Sequence, residues 1–152
     1  MRGIVEFIRE SNRIEGILRE PTHDECGAHI RLLNLYHVHA TTLGDFQSVI
    51  APGKPLRERE GMNVRVGNYI APPGGPGITR RLQSLCRKIN SASSSRDVWK
   101  FHVEFETLHP YMDGNGRTGR ALWAWMMKAQ GKNPFSLPFL HQFYYQTLEN
   151  SR

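Results

Sequence analysis

The sequence predicts a mostly α-helical bundle interrupted by one small β-hairpin, and three observations carry that prediction. Apolar residues recur at helical spacing through most of the chain. One segment, MNVRVGNYI at 62–70, alternates instead and turns at Gly67-Asn68. The run APPGGPG that follows can be neither helix nor central strand, so the hairpin stands isolated among helices. With 152 residues, 39% of them hydrophobic, the chain fits one domain.

Ile4, Phe7, Ile8, Ser11, Glu15 and Leu18 fall on one stripe of a first helix, with a carboxylate on its apolar face. Burying that carboxylate alone would cost several kcal/mol, so Glu15 requires a cation from elsewhere in the chain. Thr22 and Glu25 have capping-box spacing and open a second helix through Ile30, Leu33 and Tyr36 to about Ala40. Thr42 is placed to cap a shorter helix carrying Leu43, Phe46, Val49 and Ile50, ended by the APGKP turn. After the hairpin, Ile78, Leu82, Leu85 and Ile89 define a fourth helix, and a serine-rich stretch separates it from a fifth over 97–109. A last pair is predicted over about 116–130 and 137–148, parted by GKNPFS.

Two cysteines, Cys26 and Cys86, read as reduced thiols and favour a cytoplasmic protein. Charges at Arg2, Glu6, Arg9 and Glu10 interrupt any signal-peptide core, and ALWAWMM is far short of the roughly 20 residues of a membrane span. A formal net charge of +6 with pI near 9.7 permits an anionic partner, but the chain holds no basic run and no nucleic-acid-binding motif. His37 and His39 are read as neighbours on a helix pointing apart, and Trp99, Trp123 and Trp125 as core or rim.

The stretch HPYMDGNGRTGR at 109–120 concentrates residue types suited to polyphosphate. Gly114-Asn115-Gly116 lets the backbone turn through positive φ and aim N–H groups into a concavity at a helix N-terminus, where the dipole favours an anion. Arg117 and Arg120 share the first helical turn and can clamp phosphate oxygens. Asp113 can hold Mg²⁺, and His109 can take a proton near neutral pH. A P-loop is excluded because Gly116-Arg117-Thr118 lacks its lysine, and an EF-hand from Asp113 because Thr118 and Ala124 stand where Gly and Glu are required.

Together these residues resemble the signature of the Fic family, His-x-Phe-x-Asp/Glu-Gly-Asn-Gly-Arg-x-x-Arg, at every fixed position except Tyr111, where the family has Phe. VRVGNYIAPP resembles the family's flap, and His102 ahead of FETLHP its preceding helix. SNRIEG supplies Ser11, Glu15 and Gly16 at the spacing of the family's inhibitory helix, so residues 1–20 are expected as that helix and 21–152 as the catalytic core.

The resemblance implies a protein adenylyltransferase, with ATP as substrate and a Ser, Thr or Tyr hydroxyl of a target protein as acceptor. By resemblance His109 is the general base, Asp113 the Mg²⁺ ligand, Gly114, Asn115 and Gly116 the phosphate cradle, and Arg117 and Arg120 the β- and γ-phosphate clamps. The hairpin residues Val64, Arg65, Val66, Gly67, Asn68, Tyr69 and Ile70 would dock an extended target segment. Glu15 would pair with Arg120 and misplace the γ-phosphate. The alternatives are AMP removal, transfer of another nucleotide, and a non-catalytic nucleotide-binding interaction module. A homo-oligomer is compatible with the sequence, and nothing in it selects one.

Overall fold

The structure, a computed structural model, describes residues 3–135; the helix expected over 137–148 lies outside them. Six helices and one two-stranded antiparallel hairpin make up the described architecture. They run α1 (Ile4–Ile14), α2 (His23–Leu33), α3 (Ala40–Ile50), β1 (Arg65–Val66), β2 (Tyr69–Ile70), α4 (Pro76–Asn90), α5 (Ser95–Leu108) and α6 (Asn115–Ala129). α6 is the central element, packing on α5, α2, α3 and α1. One core runs from Ile4 and Ile8 through Leu32, Leu43, Leu82 and Phe105 to Leu122 and Met126. No helix of the described residues is long and apolar enough to cross a membrane.

α1 buries Ile4, Phe7, Ile8, Ser11 and Asn12, ends with Glu15 at its C-cap, and is stopped by Gly16 at φ 76°. Leu18 therefore falls outside the helix and is exposed, contrary to the six-residue stripe expected. α2 begins as its cap predicts, the Glu25 N–H donating to Thr22 Oγ1 at 3.1 Å. It stops at Leu33 instead of near Ala40. Distant side chains take the carbonyls that a longer helix would use: Lys128 Nζ donates to Leu33 O at 3.0 Å and Trp125 Nε1 to Leu35 O at 2.9 Å. The Asn90 amide bonds both the N–H and the carbonyl of Val38 at 2.8 Å. His37 and His39 are accordingly exposed loop residues with rings 6.5 Å apart, not helix neighbours.

α3 starts earlier than expected, and Thr42 sits inside its first turn. There its Oγ1 accepts from the His39 N–H at 3.0 Å. The hairpin pairs Arg65 with Ile70 and Val66 with Tyr69 around Gly67-Asn68. Val64 and Val66 are half-buried while Arg65 is exposed, as period two requires. Ser94 caps α5 by accepting from the Asp97 N–H at 3.1 Å.

Candidate active site

α5 delivers one edge of the site. It closes at His109, whose φ of 51° makes it the non-glycine residue of positive φ among those described. The turn after it is stapled by Asn115: its Oδ1 accepts from the Tyr111 N–H at 2.8 Å, and its Nδ2 donates to Tyr111 O at 2.7 Å. Tyr111 takes the anchoring place of the loop, 2% exposed, with a backbone bridge to Leu56. Burial, then the nearby Cys86 and Asp45, push its phenol well above the usual range, so the ring is neutral.

Of the three residues expected as a cradle, Gly114 alone has positive φ, 78°, and a Cβ there would meet Ala51 Cβ at 2.9 Å. Gly116 is needed for a different reason. It lies in the first turn of α6, where a Cβ would overlap Glu15 Oε1 and crowd Arg120 Nη1 at 3.0 Å. The Glu15 carboxylate thus stands against the head of α6, in the field that favours an anion. Gln47 fixes the loop from α3, its Nε2 donating to Asp113 O at 3.0 Å and Lys54 O at 2.6 Å.

Arg120 is fully buried. Its Nε donates to Ser11 Oγ at 2.8 Å, and its Nη2 to Ser11 O at 2.8 Å and Glu15 Oε1 at 2.9 Å. Here is the cation that the carboxylate on α1 requires. The pair joins a guanidinium with no exposed surface to a side chain 27% exposed, so it is poorly screened on one side only. Arg117 Nη1 donates to Ile50 O at 3.1 Å, and its Nε has no partner among the described residues. Burial lowers the Arg117 pKa, and the negative charges of Asp113 and Glu15 oppose that.

A cleft of about 290 Å³ opens over this loop, lined by Glu15, Val64, Arg65, Val66, Glu106, His109, Met112, Asp113, Gly114, Asn115, Gly116 and Arg117. The structure therefore brings the loop, the first hairpin strand and Glu15 around one space, and leaves Arg120 and Ser11 buried behind Glu15. Gly16 ends α1, and Gly67, Asn68, Tyr69 and Ile70 form the outer half of the hairpin, off the cleft wall. Glu106, buried and one turn before His109, also lines the cleft and is not among the site residues expected from the sequence. A carboxylate three residues ahead of a helix-ending histidine is the signal that could have found it.

The family model of the Fic/DOC family matches residues 30–127. The chain belongs to that family. It is 29% identical over 114 residues to Protein adenylyltransferase Fic of Drosophila sechellia and of Drosophila melanogaster, and 28% to that of Drosophila virilis. Each alignment covers 72% of this chain and 22% of the relative, so the chain spans about a fifth of the length of these curated Fic proteins. Both the matched region of this Fic chain and its loop at 109–120 lie C-terminal to α1, which the family model leaves outside.

Proposed function

We propose that this chain is a protein adenylyltransferase of the Fic type, moving AMP from ATP to a Ser, Thr or Tyr hydroxyl of a target protein, and that α1 restrains it. The observation that carries the reading is the single cleft in which His109, Asp113, the α6 N-terminus and the first hairpin strand meet. The adenylyltransferase names of the Drosophila relatives support the same chemistry. His109 takes the proton of the acceptor hydroxyl as its oxygen attacks the α-phosphorus; the bond to the bridging oxygen breaks and pyrophosphate leaves. Gly114, Asn115 and Gly116 offer backbone N–H groups to the phosphates, and Arg117 and Arg120 offset their charge.

Asp113 would hold Mg²⁺. Its carboxylate is exposed at the cleft, Oδ1 accepting from the Gly114 N–H at 2.8 Å. The described residues present no cluster of three or more His, Cys, Asp or Glu side chains suited to a metal. One carboxylate fits magnesium, which commonly completes its shell with phosphate oxygens and water, and the metal would supply charge neutralisation along the triphosphate. Val64 to Ile70 would receive an extended target segment by strand addition. The free thiols Cys26 and Cys86 support a cytoplasmic site of action.

Glu15 acts as the restraint. It occupies Arg120 and the head of α6, and a triphosphate then binds with its γ-phosphate displaced. The apolar anchors Ile4, Phe7 and Ile8 contribute roughly 1.5–3 kcal/mol each to docking α1, so Glu15→Gly removes the carboxylate without removing the helix. The test is a four-protein cycle of wild type, Glu15→Gly, Arg120→Ala and the double variant. Glu15→Gly raises AMP transfer by one to two orders of magnitude, about 1.4 kcal/mol per tenfold, and Arg120→Ala cancels that gain. Additive effects, or a wild type as fast as Glu15→Gly, would remove Glu15 from the restraint. The place of Glu15 on the cleft wall supports a second reading, hydrolytic removal of AMP with this carboxylate holding the water; there Glu15→Gly abolishes the activity.

A further inference from the structure

Arg57 belongs to no motif in the sequence, yet it is one of the two fully buried arginines among the described residues. It lies in the connection between α3 and the hairpin and donates only to backbone carbonyls. Nε reaches His109 O at 2.6 Å and Nη2 reaches Leu108 O at 2.8 Å. Nη1 reaches Pro72 O at 2.7 Å and Met62 O at 3.1 Å. No carboxylate among the described residues pairs with it, and burial lowers its pKa from the usual arginine value. A cation taken out of water for carbonyls alone is a costly arrangement, and a lysine, with a single nitrogen, cannot reproduce a fork spanning four acceptors.

The four acceptors fall into two pairs. Leu108 and His109 carry carbonyls at the end of α5, the negative end of its dipole. Met62 and Pro72 flank the hairpin on either side. Main-chain bonds fasten the same junction: the Arg57 N–H donates to Pro110 O at 2.8 Å, the Gly75 N–H to Arg57 O at 3.0 Å, and the Met112 N–H to Pro55 O at 3.0 Å. Gly74 N–H donates to Asn63 Oδ1 at 3.0 Å, closing the neck of the hairpin. Tyr69 Oη adds a tie from the hairpin to Thr107 O at 2.5 Å. A two-stranded hairpin is marginal by itself, and a non-glycine residue at positive φ is held only by its surroundings. Arg57 serves both with one side chain.

We propose that Arg57 is a positioning residue that locks the base of the hairpin to the His109 peptide, so that the docking strand and the proton acceptor keep one fixed relation. The inference rests on the roles given above to His109 and the hairpin. Their separation is set by the junction and not by the hairpin's own pairing, which is two residues long on each strand.

The test is amide hydrogen exchange on the full chain, with the imidazole signal of His109 followed by NMR. Arg57→Lys keeps the charge and loses the fork. It accelerates exchange at hairpin amides and at 110–112 by tenfold or more and shifts the His109 signal, while amides in the middle of α2, α3 and α6 change less than twofold. Exchange unchanged at the hairpin, or accelerated equally everywhere, overturns the proposal; the second result describes an ordinary stabilising residue. Should Arg57→Lys fail to fold, the wild type decides. The amides of Arg57, Ala71, Gly75 and Met112 then exchange through one common opening as denaturant is added, and separate openings overturn the proposal. A chain that transfers no AMP in any variant would remove the catalytic reading and leave these exchange results standing.

Discussion

Tyr111 replaces an apolar anchor with a phenol, and its surroundings decide what that costs. Among the described residues no hydrogen bond reaches its hydroxyl, and only its main chain is tied, through Asn115. The ring is buried, but the hydroxyl oxygen keeps some contact with solvent, so its missing protein partner costs at most about 1 kcal/mol. Tyr111→Phe therefore leaves stability unchanged or raises it by up to about 1 kcal/mol, with AMP transfer in the Glu15→Gly protein unaltered. A loss above about 2 kcal/mol by denaturant unfolding would give the hydroxyl a role. At this scale the sequence was partly readable. The 109–120 loop was legible because glycine, arginine and acid at fixed spacing carry chemical meaning. Arg57 was not, because its partners are carbonyls, which every residue owns.

Between α1 and the rest of the chain, a second set of contacts stands beside the Arg120 cluster. Glu25 is buried and accepts from Asn12 Nδ2 at 2.7 Å, and it pairs with Arg19 at 2.5 Å. Burial raises the Glu25 carboxyl, but the bonds from Asn12 and Arg19 outweigh that and hold it below the usual range. Ordering the eleven residues of α1 costs about 1–2 kcal/mol each, comparable in sum with its apolar anchors and hydrogen bonds together. Docking is thus a small difference, and the charge-assisted bond from Asn12, with Arg19 holding Glu25 ionised from the α1–α2 connection, can decide it. Glu25→Ala loosens α1: its amides exchange severalfold faster and AMP transfer rises up to about 30-fold, with no further rise when Glu15 is already Gly. Unchanged exchange in α1 would show that Glu25 does not hold it. The start of α2 was legible from its cap, whereas its end was not, because the side chains that stop it lie 52 to 95 residues away in sequence.

Across the whole molecule, α1, α2 and α3 meet on one imidazole. His29 lies 4.8 Å from the Phe46 ring and 6.3 Å from the Phe7 ring, and its Nδ1 donates to Glu25 O at 2.7 Å. Its Nε2 is buried without a partner among the described residues. Burial pushes its pKa down to about 4; the Glu25 carbonyl and carboxylate oppose the shift, and Arg120 and Arg117 add to it. The unfolded chain then binds the extra proton first, so this contribution is intact above pH about 6.5 and is lost as pH falls toward 4, by up to roughly 3 kcal/mol. Urea midpoints between pH 7 and pH 4 fall accordingly, and His29→Phe flattens that part of the profile. A pH dependence identical in the two proteins would assign the acid sensitivity elsewhere. The helical bundle and its hairpin were legible from apolar spacing and turn residues; this three-helix junction was not, since a histidine on an apolar stripe announces neither its neighbours nor its protonation.

The ion pair between α1 and α6 joins residues 105 positions apart, with the carboxylate first. Ribosomes add about 5–20 residues per second, so Ser11 and Glu15 are synthesised roughly 5–20 s before Arg120 exists. The partner of this arginine is therefore already made when the arginine is added. Because both ends belong to one polymer, their encounter does not depend on how much protein the cell makes, as it would for a separate inhibitor that must keep pace with its enzyme. Dilution cannot separate them, and an unequal supply of two gene products cannot arise. Under the restraint proposed for α1, release then has to come from a ligand, a modification or a competing surface that acts on α1 itself.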